Sequence, residues 1–280
     1  MKEIIGQAKI RDATVAGIFY PDDPAELEAR VSALLEAARP KVSEARAILS
    51  PHAGLDYSGD LSALAWKSAA ARDIGTVLVL SPLHRAEKSI IYLPESDYFE
   101  MPSGRIAVDT EIVEEMRDCG TLMSVNDIPH FEEHGIELQL PFMQALFPDA
   151  GLVPILLGKP SPSAVKALAS ALSLVFADRM RSTLVVISSD LGSSNDEKAA
   201  KLSADRFIDS FLAEDGAAIM KDYSTEDGCA CGSGCASALF SSGILKGTKP
   251  VLLSRHDSSA SRETGEERLV HYAAIAFADA

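Results

Sequence analysis

The fold is decided by a short apolar run and the polar turn that follows it: TVLVL at residues 76–80, then SPLH at residues 81–84. An apolar run without alternation is typical of a strand buried on both faces, as in a parallel sheet. Similar runs occur in AILSPH at residues 47–52 and TLVVISSD at residues 183–190. Segments with helical spacing of apolar residues separate them. This alternation predicts an α/β fold with a mainly parallel central sheet flanked by helices.

The remaining elements follow the same rules. An Asp cap followed by proline predicts a helix that begins after Asp23. The other predicted elements are helices over residues 61–70, 138–147, 163–176 and 196–212, strands over 152–157, 251–253 and 271–277, and an antiparallel insertion over 90–93 and 105–108. No repeat, low-complexity tract or linker interrupts them. We therefore expect a single domain over residues 1–280.

The composition and charge of the chain exclude or disfavour several classes of protein and of binding partner. The chain has 280 residues, 47% of them hydrophobic and 24% charged, which excludes a disordered protein. Its formal net charge of −15 disfavours binding to nucleic acid or to an anionic membrane. No run approaches the ~18 apolar residues of a membrane span. The N-terminal stretch from Met1 to Ile5 lacks the long apolar region of a signal peptide, so we expect a cytoplasmic protein with reduced thiols.

Polar residues follow three of the predicted parallel strands. His52, His84 and Asp190 each come within a few residues of an apolar run. In open α/β sheets, ligands bind outside the carboxyl ends of the strands, so these side chains are expected to converge on one pocket. Two imidazoles with a third ligand are typical of a transition-metal site. A single histidine after a strand, by contrast, is more often an ordinary hydrogen-bonded loop residue.

A second candidate is HFEEHGIE at residues 130–137, where His130 and His134 stand four residues apart, as on one helix face. The glutamate that directly follows the first histidine in the zinc-protease pattern is missing, which argues against that chemistry. Two interpretations stay open. The segment is either a polar entrance to the helix that begins near Glu137, lining the same cleft, or a solvated helix start.

The third candidate is CACGSGC at residues 229–235. A thiolate from this segment would complete a His/His/Cys site for copper, zinc or iron. The spacing is not that of an independent zinc knuckle. The alternative is that these cysteines are small buried residues at a helix start. The chain has neither a phosphate-binding loop nor a dinucleotide fingerprint, so we expect no nucleotide cofactor.

Six segments in sequence order resemble the MEMO family, also called the AmmeMemoRadiSam system protein B family. They are RDATVAGIFYP at residues 11–21, SPHAG with YSG at 50–59, SPLH at 81–84, EHGIELQLPF at 133–142, SSD at 188–190 and CG at 231–232. The family resembles class III (LigB-type) extradiol dioxygenases in fold. The resemblance implies metal ligands His52, His84 and Cys231, with Asp190 and His134 as candidate catalytic residues in the cleft.

The chain departs from the family pattern at several cleft positions. Ser193 replaces a histidine of the family's SSDFSH segment, and a hydroxyl does not titrate near neutrality as an imidazole does. Arg85 replaces the second histidine of GPSHH, and Gly135 the serine of EHS. Cys229 stands where the family has threonine, and adds a thiol near the expected ligands. It could ligate, or form a disulfide with Cys231 or Cys235.

Three functions follow as hypotheses. The first is metal-dependent redox activity, an oxidoreductase with one iron or copper ion in preference to zinc. The second is a non-catalytic binding role, with a peptide or small molecule in the cleft or with AMMECR-type and radical-SAM proteins as partners, which the family name implies. The third, ranked lowest, is an extradiol dioxygenase, because the resemblance replaces the glutamate ligand by Cys231 and a potential base by Ser193.

Overall fold

Four parallel strands form the centre of the main sheet, in the spatial order Ala47–Ser50, Thr183–Ser188, Thr76–Pro82 and Gly151–Leu157. The structure, a computed structural model, describes residues 8–225, 229–260 and 268–279. The stretch from Met1 to Ile5, which carries the prediction about a signal peptide, lies outside the described residues. The strands are β1 (Ile10–Arg11), β2 (Ala47–Ser50), β3 (Thr76–Pro82), β4 (Ile91–Leu93), β5 (Tyr98–Met101), β6 (Gly104–Ala107), β7 (Met123–Val125), β8 (Gly151–Leu157), β9 (Thr183–Ser188), β10 (Ser193–Ser194), β11 (Thr248–Asp257) and β12 (Leu269–Asp279).

Helices cover the sheet. They are α1 (Pro24–Ala37), α2 (Leu55–Lys67), α3 (Thr110–Arg117), α4 (Ile128–Glu132), α5 (Leu140–Leu146), α6 (Pro162–Phe176), α7 (Glu197–Leu212), α8 (Gly216–Thr225) and α9 (Ser233–Ser242), with short 3-10 helices at Glu137–Gln139 and Ser258–Ala260. The predicted mixed α/β architecture is confirmed. The Asp23 side chain caps α1 by accepting from the amide of Glu26, as its position before proline predicts.

Antiparallel pairs flank the four central strands on both sides. Strand β12 pairs antiparallel with both β2 and β11, and β4 pairs antiparallel with β8. The two segments predicted as one antiparallel insertion do not pair with each other. Strand β4 belongs to the main sheet, whereas β6 joins β5 and β1 in a separate three-stranded sheet. Strand β6 pairs with β5, which directly precedes it, whereas one partner of β4 in the main sheet, β8, lies far along the chain.

Helix α2 begins at Leu55, six residues before its predicted start. Its first turn packs on the N-terminal segment, where the Leu55 amide donates to the carbonyl of Phe19. Gly54 allows this close approach, since a Cβ there would lie 3.3 Å from the same carbonyl oxygen. The early start brings α2 directly after His52 and ties the N-terminal segment to the edge of the sheet.

The core lies between sheet and helices, and the four central strands are almost wholly buried. Because β2, β3 and β9 are parallel, their carboxyl ends lie at the same edge of the sheet. Within residues 8–225, 229–260 and 268–279, no helix combines the length and apolar character needed to cross a bilayer.

Candidate metal centre

His52, His84 and Cys231 meet at the carboxyl edge of the sheet. His52 follows β2, His84 follows β3, and Cys231 lies in the turn before α9. One donor atom from each lies within 4.8 Å of the other two. His52 Nε2 is 3.2 Å from Cys231 Sγ, and the two imidazole rings are 5.1 Å apart at 78°. The three residues could therefore hold a metal ion, although they are 32 to 179 residues apart in the chain.

Glu133 orients His84. Its carboxylate lies 3.0 Å from His84 Nδ1 and accepts from the His84 backbone amide at 2.8 Å. Burial alone would lower the pKa of His84, but hydrogen bonds to Cys231 and Glu133 raise it to about 10. Burial likewise opposes ionisation of Glu133, yet His84 outweighs it and holds the pKa of Glu133 at about 2. A carboxylate behind a histidine is the usual arrangement around metal-ligating imidazoles.

Burial, with repulsion from His84 and His134, holds the pKa of His52 well below 6.5. His52 is 2% exposed, and its Nδ1 lies 2.8 Å from Ser188 Oγ. A neutral imidazole keeps one nitrogen lone pair for a ligand. The two histidines thus differ, because a carboxylate supports His84 and a hydroxyl supports His52.

The SSD segment at residues 188–190 lies at the carboxyl end of β9, the third strand that reaches the site. Asp190 accepts from the His52 amide at 2.9 Å, and its own amide donates to Cys231 Sγ at 3.2 Å. Ser189 Oγ accepts from the Gly232 amide at 2.8 Å and so anchors the turn that carries the cysteine. Burial raises the pKa of the Asp190 carboxyl to about 6. Asp190 lies beside the predicted ligands, as expected from its strand-end position.

His134 lies beside the His/His/Cys group but is not part of it. We refer to His52, His84, Cys231, Glu133 and His134 together as the cluster. Its ring stacks between Phe19 and His84, with both ring centres 5.1 Å away. It also lies 3.3 Å from a Glu133 oxygen through Nδ1. His84, Glu133 and His134 form a second group that could hold a metal ion, sharing His84 with the first. The interpretation that this segment lines the cleft is the one the structure supports.

A buried ion pair holds the N-terminal segment beside the cluster. The guanidinium of Arg11 pairs with the carboxylate of Glu137, and both side chains are at most 1% exposed. Glu137 also accepts from the backbone amides of Thr14 and Val15 and, at 2.5 Å, from the hydroxyl of Tyr20. These contacts place the loop that carries Phe19 against His134.

His130 is outside the site. Helix α4 ends at Glu132, so His130 and His134 do not share a helix face. His130 is 2% exposed, packs edge-on against Phe99 at 6.0 Å, and has its pKa lowered to about 3 by burial and the charge of Arg11. Spacing alone suggested a pair where only one member reaches the cleft.

Two glutamates were missed as functional residues. Glu133 and Glu137 are 3% and 0% exposed, which a solvated helix start would not explain. Their place in the EHGIE segment, on which the family resemblance rests, could have indicated a role. A carboxylate is rarely buried without a partner, so their burial itself points to specific contacts. Two of those partners, however, are distant in sequence: His84 is 49 residues from Glu133, and Arg11 is 126 residues from Glu137.

A cavity of about 480 Å³ opens beside the cluster. His84, Cys229, Cys231 and Cys235 contribute to its wall, together with Lys159 and several apolar residues. Cys235 is buried, and burial raises the pKa of its thiol. Cys229 is half-buried and belongs to neither metal-holding group in the described part of the chain.

The chain belongs to the Memo-like protein family, whose model matches residues 11–276. It is 29% identical to a MEMO1 family protein of Thermotoga neapolitana over 84% of this chain and 89% of that protein. It is 27% identical to a MEMO1 family protein of Methanothermobacter thermautotrophicus over 94% and 99%. A crystal structure of an uncharacterized Escherichia coli K12 protein, JW3007, aligns at 12% identity with a TM-score of 0.47, over 82% of this chain and 98% of that one.

The packing of Ser81 requires a residue without a side chain at position 135. This chain has glycine there. A Cβ on Gly135 would lie well inside van der Waals contact of Ser81 Oγ and 3.1 Å from His52 Nδ1. The space between Ser81 and His52 therefore admits no side chain at position 135 without a shift of its neighbours.

Ser193 lies beside a cation. Ser193 Oγ accepts from two nitrogens of Arg268, at 2.8 and 3.1 Å. A guanidinium is charged at every physiological pH, so Arg268 places a permanent cation beside Ser193. Arg85, which replaces the second histidine of GPSHH, is exposed.

Proposed function

We propose that the protein binds one redox-active transition metal ion, iron or copper in preference to zinc, through His52, His84 and Cys231, and acts as a metal-dependent oxidoreductase. The observation that carries this proposal is the convergence of two imidazoles and one thiol from three separate elements within 4.8 Å. Two of these donors are accessible to an ion, because His84 is exposed and Cys231 is only partly buried, whereas His52 is buried.

The donor set fits a transition metal. Imidazole suits iron, copper and zinc, and thiolate is a soft ligand that hard cations such as Mg²⁺ do not select. Each donor has a protein partner on its far side: Ser188 for His52, Glu133 for His84, and the Asp190 amide for Cys231. Such partners usually accompany metal ligands and tune their basicity.

When bound, the ion would supply one-electron chemistry or Lewis acidity at the edge of the cavity. The chain's own residues would do the rest. His84 and Cys231 form part of the cavity wall, so a small molecule in about 480 Å³ would contact the ligands directly. Lys159 gives the cavity a cation for an acidic group, and Leu157 and Pro160 give it apolar surface. Reduced thiols are consistent with a cytoplasmic location, which is part of this proposal.

The alternative is a non-catalytic partner role beside AMMECR-type and radical-SAM proteins. It rests on the family resemblance. The dioxygenase hypothesis ranks below both.

The test is metal content after anaerobic purification and reconstitution with Fe(II), Cu(I) or Zn(II), for the protein and for the variants His52→Ala, His84→Ala and Cys231→Ala. Cys119→Ala is the matched control, since Cys119 is a half-buried thiol on another part of the chain. We expect one ion per chain in the wild type and the control, with loss in all three ligand variants. No bound ion in the reconstituted wild type would refute the metal site, and co-purification with the partner proteins would then decide the alternative.

A further inference from the structure

We propose that Ser188 is a positioning residue that holds His52 in its Nδ1–H tautomer, with the Nε2 lone pair directed at Cys231, and that Trp66 and Gln139 hold Ser188 in turn. Trp66, Gln139 and Ser188 are fully buried beneath the cluster and none belongs to either group that could hold a metal. Their hydrogen bonds allow only one consistent assignment of protons.

The assignment starts at Trp66. An indole N–H can only donate, so the Gln139 atom 3.0 Å from it is the carbonyl oxygen. The Gln139 amide nitrogen then faces the other way and donates to the carbonyl of Pro51 at 2.9 Å and to Ser188 Oγ at 3.1 Å. The orientation of a buried amide, often ambiguous, is thereby determined by its neighbours.

Ser188 has one proton to give. The Gly135 carbonyl lies 2.6 Å from Ser188 Oγ and can only accept, so the hydroxyl proton points there. One lone pair of the hydroxyl already accepts from Gln139. The remaining lone pair faces His52 Nδ1 at 2.8 Å, so this nitrogen must carry a proton and donate it.

The consequence reaches the other side of the ring. A neutral imidazole with a proton on Nδ1 has its lone pair on Nε2, the atom 3.2 Å from Cys231 Sγ. His52 is 2% exposed, and burial of this kind disfavours the charged form of an imidazole. The ring is therefore oriented by α2, β9 and the 3-10 helix at Glu137–Gln139 before any ligand arrives. A preset donor loses less freedom on binding than a free one.

The first arm of the test is the ¹⁵N spectrum of the metal-free protein with labelled histidine, in which His52→Gln identifies the His52 signals. We expect a protonated Nδ1 and an unprotonated Nε2 in the wild type, and loss of this preference in Ser188→Ala. A wild-type His52 protonated on Nε2 would overturn the inference, as would an unchanged tautomer in Ser188→Ala.

The second arm measures the dissociation constants of Fe(II), Cu(I) and Zn(II) by equilibrium titration, and it rests on the proposed function. Ser188→Ala should weaken binding by about 10- to 100-fold, and Ser188→Thr, which keeps the hydroxyl, should restore it. The control is Ser50→Ala. Ser50 stands opposite Ser188 in the β2–β9 register, is equally buried, and its hydroxyl has no partner among the described residues.

The two arms separate the two ideas. If the wild type binds no ion, the proposed function fails, whereas the spectrum still decides the tautomer. If Ser188→Ala binds as tightly as Ser50→Ala, Ser188 does not position the ligand.

Discussion

Gly135→Ala is expected to destabilise the protein through a single steric conflict. The new methyl group would overlap Ser81 Oγ and lie 3.1 Å from His52 Nδ1, in a region where Ser81 is fully buried. Overpacking of this kind costs about 1–3 kcal/mol. The backbone at Gly135 adds no strain, since its φ is outside the left-handed region.

Ser81→Gly should relieve the conflict. By itself it places glycine inside β3, which costs roughly 0.5–1 kcal/mol. Independent effects would add in the double variant to roughly 1.5–4 kcal/mol. We expect instead that the double variant loses about as much as Ser81→Gly alone, because the methyl group then fills the vacated space.

The assay is a double-mutant cycle on the free energy of unfolding from denaturant titrations. Thermal midpoints should follow at about 2–4 °C for each kcal/mol. The control is Gly75→Ala, where a Cβ would meet nothing within 4 Å. Additive losses in the double variant, or a Gly135→Ala protein as stable as the wild type, would refute the steric reasoning.

Three other predictions follow from the same contacts. Arg11→Met should lower the free energy of unfolding by about 3–5 kcal/mol, because it leaves the buried carboxylate of Glu137 without its cation. Arg30→Met is the control: it breaks an exposed pair with Asp56 and should lower the free energy of unfolding by at most about 1 kcal/mol. Denaturant titrations measure both values. Burial would raise the pKa of Glu137, but Arg11 and the Tyr20 hydroxyl outweigh burial and lower it. The ionised carboxylate therefore contributes fully to the free energy of unfolding above pH 4.5, and this contribution is lost as pH falls through the lowered pKa. Glu137→Gln should flatten this acid side of the curve of stability against pH, measured by denaturant titrations at several pH values. Glu133→Gln should weaken metal binding by about 10- to 100-fold in an equilibrium titration, and unchanged affinity would count against its role behind the ligand histidine.

Much of the candidate site was predictable because it follows from local pattern. Apolar runs mark the buried strands, and the polar residues after them mark the edge where His52 and His84 meet. The cysteine required the family resemblance, since nothing in CACGSGC at residues 229–235 distinguishes Cys231 from its neighbours. The start of α1 was also predictable, because Asp23 followed by proline is a local capping pattern.

The sequence by itself determined the central strands, several of the helices beside them, and the fact that two histidines follow parallel strands, because these properties depend on neighbours a few residues away. Only the tertiary structure decided that His134 rather than His130 enters the cleft, that Glu133 supports His84, and that Ser188 supports His52. Those contacts join residues 49 to 136 positions apart. The physical reason is that a buried polar group must find its partner wherever packing brings one, and no local periodicity records that choice.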